Sequence, residues 1–233
     1  MAAELLTIMV FTGLTIAIYQ LAAKLQRISQ KVWLNPMLLA IAIIIPFLMF
    51  FEIGYQIYAE NSRLLSQLLE PAVVALGFPL YQHLSTIKRQ WLPISLTLAI
   101  ATVIAFIINY VITIKLIALP EVAISLSLKS ITTPIGLALT QKFSGNEAVT
   151  AIAIIIAGLV GAILGIKWLS LLGVNSTKAQ GLAVGAASHA LGTATISQIS
   201  YQYAAYGSVA LIVSAIFTAF ISPVLLPLIQ LAL

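Results

Sequence analysis

Leu92–Ile114 reads LPISLTLAIATVIAFIINYVITI, a run without one charged side chain. About 20 apolar residues suffice to carry an α-helix across the hydrocarbon of a bilayer. Lipid offers the backbone no hydrogen-bond partner, so such a run must satisfy its N–H and C=O groups internally, as a helix. A barrel strand would alternate apolar and polar residues, whereas this run is apolar on every face. Working outward, the same reading recurs at Leu5–Ala23, Val32–Phe51, Val149–Leu172 and Val209–Leu231. Between these runs lie three apolar but interrupted segments, Leu68–Leu84, Val122–Leu139 and Gly181–Ile199. Gln56–Gln67 is polar enough for a loop or a short interfacial helix.

Composition supports the same class. Of 233 residues, 61% are hydrophobic and 7% charged, against roughly 25% charged in a soluble domain. Such a chain cannot clothe a water-facing surface, and no long polar tail suggests an extramembrane domain. The net charge of +5, with no Asp, fits cytoplasmic loops better than a nucleic-acid partner. The absence of Cys excludes disulfides and thiolate metal sites. Glu4 precedes the first run, while Lys24, Arg27 and Lys31 follow it. A signal peptide has the opposite order, so this reads as a retained first span, with the N-terminus expected outside a plasma (inner) membrane.

Loop charges extend the orientation. Glu52 and Glu60 against Arg63 place the 52–63 loop outside, and Lys88 with Arg89 return the chain inside. Eight full crossings would then leave Lys167 and Lys178 outside, against the positive-inside rule. They return to the cytoplasm if Val122–Leu139 enters and leaves by the same side. The expectation is therefore an all-α integral membrane protein, one domain over residues 1–233, with seven or eight transmembrane helices. At least one segment should be broken or re-entrant. Ala75–Gln82 (ALGFPLYQ) laid on Pro134–Gln141 (PIGLALTQ) matches Gly77 with Gly136, Leu80 with Leu139 and Gln82 with Gln141. Paired Gly/Pro-interrupted segments are the sequence pointer to inverted repeats, here with halves of about 1–115 and 116–233.

Ser127–Ile135 (SLKSITTPI) is the most chemically informative stretch. A lysine at the centre of a membrane helix costs about 2.5–3.5 kcal/mol on insertion scales, so Lys129 should face a partner or an aqueous cavity. Pro134 disfavours helix at Thr133. Thr133 can then be the N-cap and Pro134 the first residue of a new half-helix. Its free N–H groups and positive dipole end, with Lys129, Ser130, Thr132 and Thr133, would suit a small anion. The competing reading is a proline-kinked helix whose lysine snorkels to an interface.

Gly185–Ala194 (GAASHALGTA) is the second stretch. Its small residues allow close backbone approach, and His189 can titrate near neutral pH. Gly192 followed by Thr193 can break the segment and cap another half-helix; the alternative is a tight crossing with a structural His189. Glu70-Pro71 and Pro79 bracket a short apolar piece containing Gly77. Glu70 can carry a coupling proton, counter Lys129, or sit among headgroups. Asn35-Pro36 reads as a capped helix start, Gly161–Gly165 and Gly181–Gly185 as packing faces, and His83 as interfacial. No set of catalytic or metal-binding residues is evident, so neither an enzyme nor a cofactor is expected.

On these residues the chain resembles the LrgB/CidB family of bacterial membrane proteins, which includes the YohK group. The resemblance rests on Glu70–Leu76 (EPAVVAL) with Pro79-Leu80-Tyr81, on Lys129–Ile135 (KSITTPI), and on Ser188–Ala194 (SHALGTA). It covers nearly the whole chain. Two departures stand out: Leu128 where many members have proline, and Thr195–Gln198 where several carry charges. The family implies either a holin- or antiholin-like regulator of murein hydrolases and autolysis or a carrier of small monocarboxylates. A plastid relative exchanges glycolate and glycerate, and bacterial relatives are linked to pyruvate. It also implies a small LrgA/CidA-type partner, and a homo-oligomer is expected. In the carrier reading, Lys129 and the half-helix from Pro134 hold the carboxylate, with Ser130 and Ser188 nearby. Thr132, Thr133 and Thr193 would donate to the hydroxyl or keto oxygen, and His189 would be the proton site. A third possibility is a subunit that only chaperones its partner.

Overall fold

A computed structural model describes the chain except residues 1, 30–33, 69–70, 72–73, 75–77, 79–80, 82–83 and 233. The described residues are helices and connecting turns, with no strand. Among the described residues four helices are long and apolar enough to cross a membrane: Leu6–Ser29, Trp91–Ile117, Glu147–Leu171 and Tyr201–Leu231. The chain falls into two compact units, Met1–Ala75 and Leu76–Leu233.

In the first unit, α1 (Ala2–Ser29) packs against α2 (Pro36–Phe50), α3 (Tyr55–Asn61) and α4 (Arg63–Gln67). Asn35 caps α2: its side-chain oxygen accepts from the N–H groups of Met37 at 2.9 Å and Leu38 at 3.3 Å. Pro36, which has no N–H to satisfy, opens the helix. The helix starts at Pro36, four residues after the hydropathy run begins at Val32, and its 15 residues span about 22 Å. The polar 56–67 segment forms two short helices. Tyr58 of α3 holds Thr15 of α1 through a 2.9 Å hydroxyl–hydroxyl bond and meets Phe11 edge-on at 6.0 Å.

The second unit contains α5 (Leu84–Arg89), α6 (Trp91–Ile117), α7 (Pro120–Ser127), α8 (Thr133–Lys142), α9 (Glu147–Leu171), α10 (Thr177–Ser197) and α11 (Tyr201–Ala232). Two elements within it reverse direction. The first is α7–α8. The N–H of Asn146, at the start of α9, donates to Ser125 Oγ of α7 at 2.8 Å. Had α8 continued along α7, its ten residues alone would have carried the chain about 15 Å away. Instead α8 returns beside α9, where Thr140 and Thr150 share a buried 2.8 Å hydrogen bond. The segment therefore leaves by the end at which it entered.

The second reversal is inside α10, at His189, whose φ of 42° and ψ of −140° are not helical. Val184 and Gly192 would sit about 12 Å apart on a straight helix. In the structure a methyl on Gly192 would lie 2.9 Å from Val184 Cγ1 and 2.4 Å from Ser188 Cβ. The two limbs are thus folded against each other. The far limb ends where α11 begins, and there Tyr203 lies against Gly181 near the start of the first limb. Gln180 ties the same end to α9 and the turn after it by donating to Ser170 Oγ at 3.0 Å and to the Val174 carbonyl at 2.8 Å.

Because α9 runs from the first hairpin to the second, the hairpins enter this unit from opposite ends. Their packing depends on small residues. Gly161 and Gly165 of α9 face Ser188 and Val184, and Gly181 and Gly185 of α10 face α11. Ala204, Ala205, Val209 and Ala210 of α11 are buried, and α11 begins at Tyr201, well before the hydropathy run at Val209.

Candidate functional site

Sequence and packing together explain the first hairpin tip. Beyond Ser127 the helix tightens: Leu128 N–H donates to Ser125 O at 3.3 Å, and Lys129 N–H to Leu126 O at 3.4 Å. These i→i−3 contacts are the usual way a helix runs out. The next helix opens with Gly136 N–H donating to Thr132 O at 2.9 Å. The cap is therefore Thr132, one residue earlier than Pro134 alone suggests, and Pro134 is the second helical residue. Its ring tolerates either of these early positions because first-turn N–H groups have no partner within the helix. Lys129 and Ser130 are left at the unwound tip.

The second tip lies at His189, three residues before Gly192. A left-handed φ in a non-glycine residue costs about 1–3 kcal/mol and needs surrounding structure to hold it. Two hydrogen bonds do so. His189 Nε2 donates to the Ile154 carbonyl of α9 at 2.8 Å, and Thr193 Oγ1 donates to the His189 carbonyl at 2.8 Å. Gly192 lies in the second limb, where its lack of a side chain admits Ser188 and Val184. It closes the hairpin rather than breaking the helix.

A cavity of about 440 Å³ runs along α6, α9 and the first limb of α10, and both tips contribute to it. Lys129 and Ser130 line it from the first hairpin, Ala187 and Ser188 from the second, and Ala105 and Asn109 from α6. Small residues of α9, including Ala157 and Gly161, make the room. The pattern of an apolar cleft with a few convergent polar groups is that of a small-molecule site. The Lys129 ammonium donates to Asn109 Oδ1. Among the described residues no carboxylate pairs with it.

Not every residue singled out in the sequence reaches this cavity. Lys129, Ser130 and Ser188 do. The His189 ring points to Ile154, and Thr193 is buried against His189 and Gly207. Thr132 is half-buried, whereas Thr133 and Pro134 are exposed away from the cavity lining. Pro71 is exposed in helical backbone, while Glu70, Gly77, Pro79 and His83 lie outside the described residues. Asn109 was not singled out. Its signal is visible afterwards: an amide two-thirds of the way along an otherwise apolar span is costly in lipid and needs a reason.

The family description of LrgB-like proteins matches residues 15–228. The chain belongs to the LrgB-like family. Relatives extend over nearly the same length. This LrgB-like chain is 33% identical over 222 residues to an uncharacterized protein of Haemophilus influenzae, covering 95% of this chain and 96% of the relative. It is 32% identical over 214 residues to the holin-like protein CidB of Staphylococcus epidermidis, covering 91% and 93%. It is 30% identical over 213 residues to YwbG of Bacillus subtilis, covering 91% and 95%. No solved structure matches it. With four long apolar helices, the LrgB-like chain is a multi-pass membrane protein.

Proposed function

We propose that the chain is a secondary carrier of small monocarboxylates of the glycolate, glycerate and pyruvate type. The observation that supports this reading is the Lys129 ammonium at an unwound hairpin tip. It lines the cavity beside Ser130 and Ser188, and its partner among the described residues is a neutral amide. A cation held in an apolar cleft attracts an anion strongly because little water screens the pair. The Ser188 hydroxyl on the second tip suits the hydroxyl or keto oxygen of such a substrate. His189, buried at the bend of the second tip, is the group we assign to proton coupling.

Seven or eight crossings and inverted repeats belong to the same proposal, since α6 with the first hairpin and α9 with the second run in opposite senses. So does orientation. Lys88, Arg89, Lys167 and Lys178 lie toward the end where α6 begins, with Lys178 donating to Gln90. Lys115, Glu121, Lys142 and Glu147 lie toward the other end. The first set carries four positive charges and the second balances, so the basic end faces the cytoplasm of a plasma membrane, with the N-terminus outside. A homo-oligomer and an LrgA/CidA-type membrane partner complete the picture.

The name of the staphylococcal relative favours a second reading, a holin-like protein that forms or regulates a pore. Uptake of labelled glycolate, glycerate and pyruvate into proteoliposomes separates the two. A carrier takes up at least one of them saturably and loses uptake in Lys129→Ala, with the protein still folded. Leakage of unrelated dyes without saturable uptake, at any pH gradient, would sink the carrier reading and support the pore.

A further inference from the structure

The polar partner of Lys129 is chemically unusual for a half-buried lysine in a membrane protein. An ammonium inside a membrane protein is ordinarily countered by a carboxylate or by backbone carbonyls; here the side chain that meets it is Asn109. The amide cannot swivel freely. Asn109 Nδ2 donates to the Ala105 carbonyl one turn back at 2.6 Å. That bond leaves Oδ1 as the face presented to Lys129.

An ammonium has three donors. Among the described residues one is taken by Asn109 Oδ1, which leaves two for whatever occupies the cavity that both residues line. An amide oxygen orients the ammonium without cancelling its charge, whereas a carboxylate of nearly the same shape would cancel it. We infer that Asn109 is a positioning residue for Lys129, and that its neutrality makes this cavity select anions. The inference rests on the carrier reading and adds the device that keeps the lysine aimed and uncompensated.

The test uses full-length protein purified in detergent and titrated with glycolate, glycerate and pyruvate. Binding is read by tryptophan fluorescence, because Trp168 also lines the cavity. Melting temperature is recorded alongside. Asn109→Asp should keep its melting temperature and weaken carboxylate binding about tenfold or more, since the ligand then meets a neutral pair. Asn109→Ala, which needs no new charge in the membrane and stands in if Asn109→Asp fails to fold, should weaken binding by about threefold to tenfold. In proteoliposomes that loss should appear in KM with the maximal rate retained. A merely structural role would lower melting temperature and active fraction while leaving affinity unchanged, which overturns the inference. Binding lost in Lys129→Ala but equal to wild type in both Asn109 variants overturns it too, leaving the carrier reading intact. No response of the wild type to any of the three acids removes both.

Discussion

Gly185 offers the sharpest stability test of the α10–α11 contact. A methyl built on it would lie 2.3 Å from the Gly207 carbonyl oxygen, 2.8 Å from its Cα and 2.9 Å from its carbonyl carbon. All three are backbone atoms, so no side-chain rotation relieves the clash. Restoring an ordinary contact of about 3.4 Å requires the two helices to part by about 1 Å along that line, in a packed interior that resists compression. Overpacking of this kind costs about 1–3 kcal/mol and occasionally more, and an obstruction made of backbone belongs at the upper end. At about 2–4 °C per kcal/mol for a chain of this size, Gly185→Ala should melt about 6–12 °C below wild type in the same detergent. Gly13→Ala is the control. Nothing lies within 4 Å of a methyl there, and alanine is the better helix former by about 1 kcal/mol. If Gly185→Ala melts within 2 °C of wild type, the close crossing of α10 on α11 is wrong.

Two further outcomes follow from named contacts. Ser125→Cys with Gly145→Cys should form an intramolecular disulfide on mild oxidation. A methyl at Gly145 would lie 3.1 Å from Ser125 Oγ, within disulfide reach, and the chain has no native Cys to compete; failure to cross-link, read by peptide mapping, would argue that α7–α8 runs straight through. Gly161→Ala should destabilise the protein because a methyl there would meet Ser188 Oγ at 1.5 Å and Ser188 Cβ at 2.4 Å. Adding Ser188→Gly should recover much of the loss in melting temperature while Ser188→Ala should recover little, and equal recovery by both would contradict this geometry.

The local features were legible because local forces make them. Hydropathy located the four long helices, since burying an apolar run in lipid depends on its composition and not on its neighbours. Asn35-Pro36 announced its helix start through capping chemistry confined to four residues. Pro134 marked the interruption after Lys129 to within one residue, because the proline ring acts on the residue before it. The glycine pairs announced close packing, though not which helix would come near.

Direction and partnership were decided elsewhere. Whether the chain goes on or turns back after Lys129 depends on Ser125 meeting Asn146, 21 residues later. The second bend falls at His189 rather than Gly192 because Ile154 holds the imidazole and so sustains a backbone conformation that histidine alone disfavours. Asn109 acquires its importance only when Lys129 is brought across from 20 residues away. Composition, spans and caps were thus written in the sequence itself, as sums over neighbouring residues. Loop charges pointed to a re-entrant Val122–Leu139, but the position of the second bend, the cavity and the pairing of its lysine came only from the tertiary structure, because they arise from contacts between segments whose separation along the chain carries no local signal.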